Sequence, residues 1–213
     1  WVASSNNYLS LIKGNEVKNY FLRKEDNSNI QTIAAQNDSI WIGTRAGLYL
    51  FKNGNLTKIR SCNFSVTALF VDSKNRLLIG CGNGGFYQLK SGKLISLSND
   101  EKSSKLRIRF ITEDKKGNLF LGTIGQGLVI FDGKTFQYFN EENGLPSNII
   151  YFIHLDSRGI LWLTASGSGI LLFDGNKFSK ITKKDGLPTN EVQTILEDEN
   201  GNFWCGFNNG IFR

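Results

Sequence analysis

The sequence predicts an all-β protein built of repeated four-stranded antiparallel sheets, and three observations carry that prediction. The first is a period. An anchor position recurs at Trp1, Trp41, Leu78, Phe120, Trp162 and Trp204, with spacings of 40, 37, 42, 42 and 42 residues. Self-similarity near forty residues marks a repeat architecture. The second is punctuation: short apolar runs alternate with turns rich in Gly, Asn and Asp, and the chain holds 23 Gly against 2 Pro, which suits strands joined by tight turns. The third is that runs such as IIYFI (149–153) and ILWL (160–163) do not alternate polar with apolar. Strands apolar on both sides need cover on both faces. A sheet held between copies of itself has that cover, and radial repetition of such sheets is a β-propeller.

Each period contains the same four runs. The first has the form I-x-x-I, at Ile30/Ile33, Val66/Leu69, Ile108/Ile111, Ile150/Ile153 and Val192/Ile195. A polar turn follows, D-x-x-G or a relative, beginning at Asp72, Asp114, Asp156 and Asp198. The second run carries the anchor (IWIGT, LLIGC, LFLGT, LWLTA, FWCGF), and a turn of small residues follows it (TRAG, GNGG, TIGQG, ASGSG, FNNG). The third run reads GLYLFKNG, GGFYQLKSG, GLVIFDG or GILLFDG; the fourth is shorter and more polar. Such short connections are those of hairpins, so each unit is expected to be an antiparallel meander. They also argue against a parallel β-solenoid. The boundaries expected are a partial blade 1–29, blades 30–64, 65–106, 107–148 and 149–190, and a partial blade 191–213. Three strands precede the first complete blade and three follow the last, so we expect an incomplete arc of about six blades whose end faces are apolar and drive association, with a homodimer the simplest product.

Composition excludes several classes. A hydrophobic fraction of 40% with 21% charged residues is that of a globular chain rather than a disordered one. There is no run of eighteen apolar residues to span a membrane. The net charge of +6 comes from lysines scattered over the turns, whereas a nucleic-acid footprint needs clustering. Lacking Met and opening on an anchor Trp, the chain is expected to be a segment of a longer product.

Most conspicuous residues read as structure. Trp41, Trp162 and Trp204 share one strand position and are expected to pack between blades. The D-x-x-G turns read as Asx turns, with DENGN (198–202) the nearest approach to a calcium loop. His154, the one histidine, sits mid-strand and is expected to be a hydrogen-bonded structural residue. Cys62, Cys81 and Cys205 show no C-x-x-C spacing, so no metal site is expected, and Cys205 reads as a small buried hydrophobe. No cofactor is expected either.

The pattern GLP-S/T-N-x-[IV]-x-x-I-x-x-D-x-x-G-x-[LF]-W, followed by G-x-x-F-D-G-x-x-F, resembles the regulator-propeller repeat of bacterial two-component sensors. The match is close over 144–213, good over 108–143 and looser over 1–107, where GLP is missing and the inter-blade loops read RSCNFS and SNDEKSSKLR. The resemblance implies the periplasmic sensor half of a hybrid histidine kinase of the Bacteroidetes type. It also implies seven-bladed rings, a downstream β-sandwich, a membrane helix and a kinase, oligosaccharide ligands, and no catalysis by the propeller. Sialidase Asp boxes set Asp five residues before Trp; here Asp156 and Asp198 precede Trp162 and Trp204 by six. No carboxylate pair stands apart from the repeat as a glycosidase would need. The readings are therefore, in order, a ligand-sensing propeller, a structural or docking propeller, and a glycan-cleaving enzyme.

For a site, the turns after the second run vary between blades whereas the D-x-x-G and F-D-G turns scarcely do. Recognition needs variety, so the ligand is expected on the variable face, which carries Asn6, Asn7, Arg45, Asn83, Gln126, Ser166, Ser168, Asn208 and Asn209. Arg45, Arg107 and Arg109 are the expected anchors for an acidic sugar, as bidentate donors to carboxylate or sulfate.

Overall fold

The computed structural model describes residues 1–4, 8–21 and 29–213, which form two compact units, 1–105 and 106–213. Asn6 and Asn7 lie outside the described residues. In the first unit, β1 (Val2–Ala3), β2 (Tyr8–Lys13) and β3 (Glu16–Phe21) make a three-stranded sheet. Two four-stranded sheets follow: β4 (Ile30–Gln36), β5 (Ser39–Thr44), β6 (Gly47–Lys52) and β7 (Asn55–Lys58), then β8 (Val66–Val71), β9 (Leu77–Cys81), β10 (Phe86–Lys90) and β11 (Lys93–Ser96). A one-turn helix, α1 (Glu101–Ser104), ends the first unit; the second unit follows. Its sheets are β12 (Ile108–Glu113), β13 (Leu119–Thr123), β14 (Leu128–Phe131) and β15 (Phe136–Phe139), and β16 (Ile150–Leu155), β17 (Leu161–Ala165), β18 (Ile170–Phe173) and β19 (Phe178–Ile181). A three-stranded sheet of β20 (Val192–Glu197), β21 (Phe203–Phe207) and β22 (Gly210–Phe212) completes it.

Every sheet is an antiparallel meander of consecutive strands, as the hairpin turns predict. The blades of a propeller number six among the described residues, not an incomplete arc of a seven-bladed ring. The count of seven rested on the family resemblance alone. The three strands at each end pair with one another, Val2 to Ser10 and Leu9 to Tyr20 at one end, Leu196 to Trp204 and Cys205 to Phe212 at the other.

Within each unit the first strands lie side by side, β4 against β8, and β12 against β16 against β20. Each of these first strands carries a bulge at the same place. The register slips between Ile30 and Thr32, Val66 and Ala68, Ile108 and Phe110, Ile150 and Phe152, and Val192 and Thr194. The extra residues are Gln31, Thr67, Arg109, Tyr151 and Gln193. A bulge residue is left out of the pairing and its side chain is re-aimed.

The sheets meet by one rule. The face carrying the anchor covers the opposite face of the next sheet. Trp41 and Leu48 pack with Val66, Leu77 and Ile79. Phe120 and Leu128 pack with Leu161, Leu163 and Phe173. Trp162 and Ile170 pack with Val192, Ile195 and Cys205, and the indole of Trp162 stacks on Phe203 at 3.8 Å. The sheet of β17 is covered from both sides by its neighbours, and β17 is buried along its whole length, as β9 and β13 are, which is why it reads as an unbroken apolar run.

Trp204 departs from the expected packing. It occupies the same position in its strand but is 40% exposed, because among the described residues no other sheet of its unit covers the anchor face of that blade. Cys205, on the other face, is buried as expected.

The GLP segments have a local physical cause. Short 3₁₀ turns at Glu141–Asn143 and Lys183–Asp185 are capped reciprocally by Asn140 with Asn143 and Thr182 with Asp185. Gly144 and Gly186 then take left-handed φ of 99° and 109°, which glycine adopts without steric cost. The next residues, Leu145 and Leu187, plug the gap between sheets and are buried. The loop before β8, which lacks GLP, does the same job with Cys62, fully buried between Leu48 and Val66; in the next loop α1 is held by a capping box between Asp100 and Ser103.

Truncating Trp162 to Ala should lower stability by about 3–5 kcal/mol, as for a buried aromatic, whereas Trp204→Ala should cost only about 1 kcal/mol; urea unfolding midpoints check both. At Gly169, where φ is +76° and an added Cβ would lie 2.2 Å from the Ile181 carbonyl oxygen, Gly169→Ala should cost about 2 kcal/mol or more in the same measurement.

Candidate functional site

The two faces of the blades differ in what their polar groups are free to do. On one side lie the D-x-x-G turns. The Asp156 Oδ1 accepts the backbone N–H of Arg158 at 3.0 Å and of Ile160 at 2.8 Å, while Oδ2 accepts from Arg158 Nη2 at 2.7 Å and Trp162 Nε1 at 3.0 Å. Asp198 repeats this with Asn200, Asn202 and the indole of Trp204, at 2.9 Å each for the two backbone N–H groups and Nε1. Asp72 and Asp114 make the same backbone bonds. In the second blade, where Ala35 stands six residues before the anchor in place of that aspartate, Gln36 Oε1 accepts from Trp41 Nε1 at 2.8 Å and Gln36 Nε2 donates across to the Asn75 carbonyl. The six-residue step from Asp to Trp is therefore a hydrogen bond that ties the turn to the anchor, a role not read from the sequence.

These bonds tune the carboxyls. Burial alone would push the Asp156 carboxyl up, but donation from Arg158 and Trp162 outweighs it and holds it lowered. At Asp198 the indole of Trp204 and the amide of Asn202 hold it down at about 2. A cleft of about 560 Å³ on this side is lined by Asp114, Lys116, Asp132, Asp156, Arg158 and Asp174. The aspartates there are engaged by their own turns, Asp132 with Lys134 and Thr135, and Asp174 with Asn176 and Lys177. No group of three or more His, Cys, Asp or Glu stands where it could hold a metal ion among the described residues, and the DENGN loop offers the single turn aspartate.

On the other side lie the turns after the second strands and the inter-blade loops, and backbone hydrogen bonds join them. Gly125 and Gly127 donate to the Asn148 carbonyl, Gly169 to the Asn190 carbonyl, Ile124 to the Arg107 carbonyl and Gly82 to the Ser65 carbonyl. The side chains of Asn148 and Asn190 accept from Glu141 and Lys183, so the Asn of GLP-x-N clamps its loop at both ends.

Arg45 and Asn83 are exposed at turn tips of the first unit. In the second unit, Arg107 and Arg109 are exposed on either side of buried Ile108, with Arg109 at the bulge. Ser166 and Asn208 are exposed at their turn tips, while Gln126 is half-buried with an Oε1 that is sealed from solvent and has no hydrogen-bond partner. A cleft of about 370 Å³ beside the last blade gathers Asn208 and Asn209 with Thr189, Glu191 and Phe207. Glu191 also faces the preceding turn: a Cβ on Gly167, next to Ser166, would lie 3.6 Å from its Oε1. Glu191 was missed in the sequence, although its signal was there, since the equivalent positions hold Ser65, Arg107 and Ile149. Tyr151 and Gln193, at the same bulge position as Arg109, were missed as well.

His154 is not the hydrogen-bonded residue expected. Its Nε2 is buried without a hydrogen bond, 3.9 Å from Glu197 Oε2, because Glu197 is taken by the backbone N–H and hydroxyl of Ser157, both at 2.8 Å.

Residues 186–209, which span the second GLP and the Asp198–Trp204 lock, match the two component regulator propeller family. This stretch is similar to a regulator-propeller repeat. The regulator-propeller pattern has solved structural counterparts. The chain is similar to the extracellular domain assigned to the hybrid two component system BT3049 of B. thetaiotaomicron, with 23% identity and a TM-score of 0.74 over 95% of this chain and 30% of that one. It is similar to the extracellular domain assigned to the one component system BT4673 of the same organism, with 21% identity and a TM-score of 0.72 over 99% and 32%. It is also similar to virginiamycin B lyase of Staphylococcus aureus, with 14% identity and a TM-score of 0.73 over 97% and 76%. At these identities the likeness is one of fold. The chain spans about a third of the length of the two extracellular domains. No curated protein matches the sequence. Among the described residues no helix is long and apolar enough to cross a membrane.

The Asp198 carboxyl, lowered from 3.8 to about 2, contributes stability that is present above pH about 4 and lost as pH falls towards 2. Denaturation midpoints measured between pH 5 and 2 should decline with acid, and Asp198→Asn should flatten that decline while lowering the value at neutral pH.

Proposed function

We propose that this regulator-propeller segment is a ligand-sensing part of an extracytoplasmic, periplasmic sensor, recognising oligosaccharide on its variable face and performing no catalysis itself. The observation that supports this reading best is the contrast between the two faces. On one, aspartates are tied into turns that repeat almost unchanged. On the other, equivalent turn and bulge positions carry different exposed polar groups, Arg45, Asn83, Arg107, Arg109, Ser166, Asn208 and half-buried Gln126, on a backbone held by its own hydrogen bonds. A rigid scaffold with variable side chains is what recognition needs. The extracellular origin of the hybrid two component and one component system domains that the chain resembles supports the location. In the parent protein the further blades, a β-sandwich and a kinase would be its partners.

Acidic sugars fit this face because arginine forks match carboxylate and sulfate. Arg45 stands in the first unit, Arg107 and Arg109 in the second, so they are tested separately. On an array of neutral and acidic oligosaccharides, an acidic glycan should be retained, and Arg107→Ala with Arg109→Ala should weaken it about 10–100-fold, as loss of a charge-assisted hydrogen bond does. Arg45→Ala reports whether the first unit shares the ligand. Retention unchanged in both variants would sink the site. The lyase of similar fold makes product release worth following on the same array; cleavage of a bound glycan would replace the sensing reading with an enzymatic one.

A further inference from the structure

We infer that the bulge residues of the second unit form a polarised subsite for a sugar bearing a single carboxylate. Arg109 holds the acid, Tyr151 carries the sugar ring, and Gln193 with Glu191 takes hydroxyls at the other end. The inference rests on the sensing proposal and names the chemistry of one part of that face.

The bulge sets the row. The first strands β12, β16 and β20 lie side by side, and each slips its register at the same place, so Arg109, Tyr151 and Gln193 recur at one level, one to a blade. A residue left out of the ladder has its side chain re-aimed. Thr67, the bulge residue of β8, shows where it goes: a Cβ on Gly82 would lie 3.0 Å from its Cγ2, so the side chain leans on the turn after the second strand of its own blade. In the blades of Tyr151 and Gln193 the place of Gly82 is held by Ser166 and Asn208. Bulge side chain and variable turn tip therefore share one ledge.

The groups on this ledge are unspent and their charges are ordered. The Thr67 hydroxyl is engaged by its own sheet, donating to the Gly80 carbonyl at 3.3 Å. Among the described residues the side chains of Arg109, Tyr151 and Gln193 make no hydrogen bond, ion pair or ring contact. Phe152, next to Tyr151, packs on Phe110 at 4.6 Å, so the ring left open is the one the bulge turns out. Arg107 and Arg109 stand at the blade that starts with β12, whereas Glu191, just before β20, reaches the turn beside Ser166. The row is thus positive at one end and negative at the other, with the half-buried Tyr151 between. A guanidinium fork takes a carboxylate in two parallel bonds, an aromatic face takes the apolar face of a pyranose, and the amide and carboxylate accept hydroxyls. A second acid at the far end would meet Glu191, and that repulsion selects for one acid and fixes its direction.

Calorimetric titration and saturation-transfer NMR of the full chain test this with three probes: cellobiose, cellobiouronic acid, and the disaccharide in which both sugars are uronates. The single acid should bind about tenfold more tightly than cellobiose and severalfold more tightly than the double acid, and irradiating the aromatic protons should saturate its ring protons. Arg109→Ala should bring the single acid level with cellobiose, and Glu191→Gln should bring the double acid up to the single one. Tyr151→Leu should weaken the single acid about tenfold and abolish the aromatic transfer, while Tyr151→Phe should keep both. Where Tyr151→Leu loses its circular-dichroism spectrum, the exposed Arg109→Ala and Glu191→Gln decide. Binding and transfer unchanged in Tyr151→Leu would overturn the row, as would equal affinity for all three probes. No binding of the three probes, with another glycan retained on the array, overturns the row and leaves the sensing reading standing; an array that retains no sugar removes both.

Discussion

The contact on which this architecture depends is the covering of one sheet's anchor face by the next sheet. The burial of Trp162 under Phe203 is its clearest instance, and the turn aspartate makes it stereospecific. An indole dropped into an apolar gap would still need a partner for its N–H. Asp156 supplies one, and the same carboxylate fixes the turn that starts the anchor strand. One side chain therefore sets both the turn and the depth of the ring between the blades. Where the neighbouring sheet is lacking, as at Trp204, the hydrogen bond to Asp198 is kept but the burial is not, which separates the local part of this device from its tertiary part.

Much of this was legible in the sequence. The strands, their meander order and the grouping into three, four, four, four, four and three follow from apolar runs of strand length punctuated by Gly, Asn and Asp turns. The blade count of six was also legible, and the seventh entered only through resemblance. What could not be read is what depends on neighbours. Nothing in FWCGF distinguishes it from LWLTA as a strand, so the exposure of Trp204 had no local signal. The plug Cys62 was hidden because its loop differs in length and residues from GLP, although it fills the same kind of gap. The His154 environment was misjudged because its acidic neighbour, Glu197, lies 43 residues on and is already held by Ser157.

The candidate site was legible in its placement more than in its membership. Turn tips such as Arg45 and Asn208 stand out because each breaks the repeat at an exposed position. Glu191 broke it too, but in a motif, GLPTN, that invited a structural reading. The bulge explains Tyr151 and Gln193: a residue slipped out of register cannot be assigned a side by simple alternation, so strand arithmetic passes over the very positions that are re-aimed. Backbone clamps such as Asn148 then hold the variable turns without using their side chains, leaving those side chains to chemistry.

Each sheet is drawn from one unbroken stretch of chain, strand after strand, with no strand lent from a distant part of the sequence among the described residues. Among the described residues no strand of one sheet pairs with a strand of another; neighbours touch through side chains, a few loop carbonyls and the isolated backbone bridge of Ile124 with Ile149. Duplication or loss of a 42-residue unit would therefore leave the pairing of all the others undisturbed and would ask only that one anchor face find another flank. In genetic terms the blade is a modular unit of inheritance, and its boundary is set by which side-chain surfaces will fit together rather than by which backbones must pair.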